Sequence, residues 1–163
     1  MSIARQQAGA KAQAEGQRWE QENDLLARAA GILVVPQYPE VRRNRRGYYV
    51  PKDGDRQADR WMFYNGRPWL LDYKTTGNKN AFTVPHDRNG LLQFQSLVNA
   101  ADAGIPAFYC VEWRLAGAVE LFAVNSATPW PLKLRMGQGA HFYHSDGENH
   151  WLYFRDKIAM KLQ

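Results

Sequence analysis

Apolar and polar positions recur with a different period in different stretches of the chain, and the changes of period mark out its elements. From Gly16 onward Trp19, Leu26 and Ala30 share one helical face, with Leu25 and Ala29 beside it, so a helix over about residues 16 to 30 is predicted, stopped by Gly31. Residues 1–15, rich in Ala, Gln and Gly, carry no strong apolar period and are expected to form a flexible extension, either frayed or a loose helical lead-in. Ile32 to Val35 is a short, partly β-branched run ahead of Pro36 and reads as a buried strand. The Pro-, Gly- and Arg-rich residues up to Gly54 read as a long loop or arm.

Ala58 to Tyr64 and Arg67 to Lys74 are strand candidates on either side of Asn65-Gly66, a dipeptide that favours a two-residue hairpin turn because both residues accept positive φ. Asp87 to Ala103 reads as a second helix, with Leu91, Phe94, Val98 and Ala101 at helical spacing and Gly104 closing it. Ala107 to Trp113 and Val119 to Val124 look like two further strands, and Tyr143 with Trp151 to Phe154 suggests a small C-terminal hairpin. A helix, a mixed sheet and a second helix packed on it place the chain in the α/β class.

The hairpin register brings chemistry with it. With Asn65 and Gly66 in the turn, Tyr64 faces Arg67, and counting back along both strands sets Asp59 directly opposite Asp72. Opposed Cβ atoms lie about 5 Å apart, and like charges there destabilise a sheet. A divalent cation held by both carboxylates offsets the repulsion, and Mg²⁺, with its preference for oxygen ligands, suits such a pair. Side chains alternate along a strand, so Asp72 and Lys74 share a face while Leu71 and Tyr73 take the other. A third carboxylate is available from the first helix, where Glu20 lies one residue past the core position Trp19. Position alone does not choose between it and its neighbours Glu15, Glu22 and Asp24, which read as an ordinary solvated face.

Composition narrows the partners. At 163 residues, with six Trp, eight Tyr and seven Phe, the chain fits one packed domain. Its 21 basic against 16 acidic side chains give a net charge of +5 and a pI near 9.4, which favours polyanionic partners. Arg42, Arg43, Arg45 and Arg46 fall within five positions, close to Tyr48, Tyr49 and Lys52. Cys110 is alone in an apolar run, so an intrachain disulfide and a four-thiolate zinc site are both excluded. No stretch reaches the roughly 20 apolar residues of a membrane span, and the N-terminus lacks the apolar region of a signal peptide, so a soluble, cytoplasmic protein without a membrane partner is expected.

The run Gly16, Trp19, Glu20, Leu25 and Gly31, followed by Asp59, Asp72, Tyr73 and Lys74, resembles the PD-(D/E)XK nucleases, and within them the archaeal Holliday-junction resolvases. Gly104 to Ala107, the strand to Trp113, and Leu121, Phe122 and Val124 ahead of Pro129 are similar to the same pattern, while Phe82, His86 and Gln93 resemble the bacterial RecU resolvases. The resemblance covers about residues 16–130. It implies a restriction-endonuclease-like α/β core with a central mixed β-sheet flanked by helices, preceded by the extension over 1–15 and followed by a C-terminal extension, 131–163, packed on the core. It implies Glu20, Asp59, Asp72 and Lys74 as catalytic residues, with the metal at Glu20, Asp59, Asp72 and Tyr73. The metal it implies is Mg²⁺, with Mn²⁺ expected to substitute. The basic cluster Arg42, Arg43, Arg45, Arg46 and Lys52 is the candidate DNA-contact segment, and the resemblance adds His86 and Gln93. The activity implied is cleavage of four-way DNA junctions by a homodimer, leaving 5′-phosphate and 3′-hydroxyl ends. The alternatives are a nuclease of this class acting on flap or duplex DNA, and a DNA-binding protein without catalysis. Two positions depart from the pattern: Asp72 stands where the family usually has Glu, one methylene shorter, and Ala58 replaces the Pro before Asp59.

Overall fold

The computed structural model describes residues 3–36, 41–43, 45–47, 49–51, 58, 60–139, 141–144 and 147–161. Helix α1 spans Ile3–Ala29. Its first half is the expected extension, and here it is regular helix. Ala4, Ala8, Ala10, Ala12 and Ala14 with interspersed Gln, Lys and Arg are strong helix formers that need no packed face to adopt this conformation. Residues 3–14 are exposed, and an ion pair from Glu15 to Arg114 ties the helix to the body just beyond them. The helix ends at Gly31, whose φ of 80° closes a cap in which the Ile32 amide donates to the Ala27 carbonyl.

Strand β1 (Leu33–Pro36) follows, then the short antiparallel pair β2 (Val41–Arg43) and β3 (Tyr49–Pro51). The basic arm is therefore partly a hairpin, where a loop was expected. β1 is an edge strand rather than a buried one: Ile32 and Val34 point into the core, while Leu33 and Val35 are 62% and 41% exposed. Edge position also explains how Pro36, which has no N–H to give a ladder, can end a strand.

Strands β4 (Arg60–Tyr64) and β5 (Arg67–Thr76) form the expected hairpin. Asn65 and Gly66 have φ of 50° and 72°, and Tyr64 pairs with Arg67 and Arg60 with Leu71, the register read from the sequence. β6 (Ala81–Thr83) leads to helix α2 (Arg88–Asp102), capped by the Asp87 side chain accepting from the Gly90 amide. α2 belongs to the crossover that allows β5 and β7 (Ala107–Trp113) to pair in parallel. β8 (Ala118–Ala123) runs antiparallel to β7, β9 (Lys133–Arg135) pairs with β6, and β10 (His141–His144) runs antiparallel to β8. The main sheet is mixed and six-stranded, in the order β1-β4-β5-β7-β8-β10.

Alternation divides the core into two layers. Leu71, Tyr73, Phe108, Cys110, Val119 and Leu121 face α1 and the final helix α3 (His150–Lys161). Leu70, Tyr109, Val111, Trp113 and Phe122 face Phe94, Leu97 and Ala100 of α2. The expected C-terminal hairpin is β10 followed by α3. Trp151, Phe154 and Ile158 recur every three to four residues and are all buried, a helical stripe that the aromatic, strand-like composition of the segment had masked. No helix among the described residues is long and apolar enough to cross a membrane.

Candidate active site

β5 carries the centre of the site. Asp72 is fully buried in the middle of the strand, facing away from the α1 layer, and two residues on Lys74 reaches back so that its Nζ bonds the Asp72 carboxylate. Burial of an ionised carboxylate is costly without a partner, and the Lys74 ammonium offsets that cost. Lys74 Nζ is held on two further sides. The Gln93 side-chain oxygen accepts from it at 3.3 Å, and the Tyr109 ring lies 5.9 Å away by its centroid. The side chain is thus fixed by groups from β5, α2 and β7 together.

A second group of charges lies on the α1 side of the sheet. Arg60 opens β4 and is buried; its Nε donates to both oxygens of Asp24 at 3.1 and 3.0 Å, and its Nη2 to Oε2 of Glu20 at 3.1 Å. Tyr73 points to this same side, its hydroxyl donating to Asp24 at 3.2 Å and its ring 5.4 Å below the guanidinium. Burial works against the charge on Arg60, yet the attraction and hydrogen bonds of Asp24, joined by Glu20, leave its pKa above the ordinary value. Burial, reinforced by Cys110 and Asp24, pushes the Tyr73 phenol well above its usual range, so it stays a donor.

The two groups meet at one cleft, lined by Glu20, Tyr73, Lys74, Pro85, Asp87, Asn89, Gly90 and Gln93. The expected site residues Glu20, Tyr73, Lys74 and Gln93 are therefore brought together, with Asp72 beneath Lys74. Tyr73 meets the cluster through its hydroxyl, which is engaged with Asp24. His86 is exposed and is not part of the lining, although its neighbours Pro85 and Asp87 are. Arg42 and Arg43 lie on β2, and Arg45 and Arg46 are exposed in the turn to β3. Asp59 and Lys52 lie outside the described residues. Among the described residues no three His, Cys, Asp or Glu side chains gather closely enough to hold a metal ion.

Asp24 is the site residue that sequence reasoning assigned to solvent. The buried stripe of α1 is Trp19, Asn23 and Ala27 with Asp24 beside it, whereas Leu25 is 66% exposed. Both polar members have partners. Asn23 Oδ1 accepts from Trp151 Nε1 at 2.8 Å and lies 2.7 Å from His150 Nε2, and Asp24 accepts from Arg60 and Tyr73. The one available signal was spacing, since Asp24 lies a single turn after Glu20.

No family model matches the chain, and no curated protein sequence is similar to it. Its likeness is to solved structures. Among the structures it matches is Hjc of Archaeoglobus fulgidus, a Holliday junction resolvase from an archaeal hyperthermophile, with 14% identity and a TM-score of 0.53. The match covers 74% of this chain and 88% of Hjc. At this identity the likeness is one of fold.

Proposed function

We propose that the chain is a metal-dependent endonuclease that cleaves DNA at four-way junctions. The observation that carries the reading is Asp72, buried and bonded to Lys74 on one strand, at a cleft that also receives Glu20 and Gln93, within a nuclease fold. A strand needs no buried acid and base side by side for its stability, because an apolar pair of similar volume serves as well or better.

The donor set suits Mg²⁺. Glu20 and Asp72 would supply carboxylate oxygens, the hard ligands this ion takes, and Asp59, opposite Asp72 in the register read from the sequence, would add a third. The chemistry such an ion, Mg²⁺ or Mn²⁺, would supply when held there is polarisation of a phosphoryl oxygen and a lowered pKa for bound water. Lys74, held by Asp72, Gln93 and the Tyr109 face, keeps its ammonium at the cleft, where it stabilises negative charge developing on the phosphate. Arg42, Arg43, Arg45 and Arg46 on the β2–β3 hairpin, with Lys52 and His86, bind the DNA backbone, and a homodimer supplies one such site for each of two strands.

The test is a competition under Mg²⁺ among equimolar labelled four-way junction, flap and linear duplex, read on a denaturing gel. Preferential nicking of the junction supports the reading. Equal cleavage of all three leaves a general nuclease of this fold, and no cleavage of any overturns the assignment.

A further inference from the structure

We propose that Arg60, locked in place by Asp24 and Tyr73, is a positioning residue that presents the Glu20 carboxylate to the cation of the cleft. The inference rests on the metal-dependent reading above. Glu20 and Asp24 stand one turn apart on α1, and a single guanidinium serves both: Nε takes the two Asp24 oxygens at 3.1 and 3.0 Å, and Nη2 takes Glu20 Oε2 at 3.1 Å. The two carboxylates differ in setting. Asp24 is buried and receives the Tyr73 hydroxyl as well, whereas the Glu20 side chain is 35% exposed and lines the cleft beside Lys74.

Charge separates this arrangement from an ordinary structural ion pair. Asp24 alone neutralises Arg60 and fastens α1 to β4, so nothing in the packing calls for a second carboxylate. Adding Glu20 leaves the cluster with a net negative charge at the cleft, which is the charge a divalent cation needs there. The geometry also explains the choice of residue. The planar guanidinium offers separate donors along fixed directions, so one edge can be anchored while another aims a partner; a lysine ammonium cannot divide its bonds this way. Arg60 moreover pairs across the hairpin with Leu71, the residue before Asp72, so the element that aims Glu20 is in register with the strand that carries the buried acid.

A double-mutant cycle on Mn²⁺ affinity tests the proposal, using the full chain without DNA and following Mn²⁺ binding by paramagnetic resonance. Arg60→Lys keeps the positive charge and removes the fork. It is expected to weaken Mn²⁺ binding about tenfold, the lower end of the effect of groups that orient metal ligands. Glu20→Gln should weaken it at least as much, and the double variant should bind no worse than Glu20→Gln alone, because Arg60 acts through Glu20. Asp24→Asn, which releases the anchored edge while keeping the side chain's shape, should behave like Arg60→Lys and carries the same cycle if that variant does not fold. Unchanged Mn²⁺ affinity in the folded variants, or losses that multiply in the double variant, overturns the positioning role and leaves the nuclease reading standing. An unmodified chain that binds no Mn²⁺ overturns both.

Discussion

Asp72 has none of its surface exposed, so its charge is sustained by what surrounds it, above all by Lys74. Asp72→Asn keeps the size of the side chain and removes a negative charge and, on the proposed reading, a metal ligand. Binding of a labelled junction in Ca²⁺, followed by gel shift, should therefore persist or improve in this variant, and a loss of binding would mean that Asp72 serves the DNA rather than the metal. A different residue governs the response to pH. Burial pushes the His150 pKa from 6.5 down to about 4, so the folded protein keeps this ring neutral while the unfolded chain protonates it below about pH 6.5. The stability it contributes is complete above pH 6.5 and is lost as pH falls through the window from 6.5 to 4, on the order of 3 kcal/mol in all. Glu120 acts with the opposite sign. Its carboxyl is raised by burial, partly countered by the Gly137 and Gly139 amides, and so favours the fold as pH drops. Comparing urea midpoints of the unmodified protein and His150→Gln between pH 7 and 4 isolates the histidine: the variant should lose less stability over that window, and parallel curves would contradict the assignment.

Among the elements, the β4–β5 hairpin was the most legible, because Asn65-Gly66 fixes turn and register together and the alternation on β5 follows from there. Helix α2 announced itself through Leu91, Phe94, Val98 and Ala101 and its stops. What stayed hidden had physical causes. Residues 3–14 form exposed helix without a packed face, which leaves no apolar period to decide between a frayed extension and a helical lead-in, and β1 looked buried because four apolar residues in a row read alike on a central or an edge strand. The polar members of the α1 stripe, Asn23 and Asp24, were illegible because their partners come from residues 127 and 36 positions away in sequence, His150 and Arg60. Helix α3 was mistaken for a strand on its aromatic content, and it now carries a prediction. Trp151 and Phe154 have no exposed surface, so Phe154→Ala should destabilise the protein by about 3–5 kcal/mol, through reduced burial and the cavity left behind. A chemical-denaturation midpoint measures this, and a change under 1 kcal/mol would show that α3 is only loosely applied. The β2–β3 hairpin is proposed to hold DNA phosphates. Replacing Arg42, Arg43, Arg45 and Arg46 by Ala should flatten the dependence of junction affinity on salt by about 0.9 in log-log slope for each phosphate that is no longer neutralised. An unchanged slope would assign these arginines to solvent.

Taken as a whole molecule, the chain brings Lys74 with its buried partner Asp72, a first-helix glutamate and a glutamine together around one cleft, in a fold similar to that of Hjc. The pairing of Asp72 with Lys74 on β5 was legible because strand alternation is strict; the contact of Glu20 with Arg60 was not, because the two lie forty residues apart. The net charge of +5 suits a polyanionic substrate but does not select among DNA shapes. The central claim is metal-dependent phosphodiester cleavage at Asp72 and Lys74. The measurement that meets it most directly is nicking of a labelled four-way junction by purified protein with Mg²⁺ and with EDTA, run beside Asp72→Asn. The account predicts paired nicks with Mg²⁺, none with EDTA, and a loss of at least about a thousandfold in rate for the variant, the upper range for removing one charge-stabilising group. Cleavage that survives EDTA, or an Asp72→Asn protein that nicks at the unmodified rate, would contradict it.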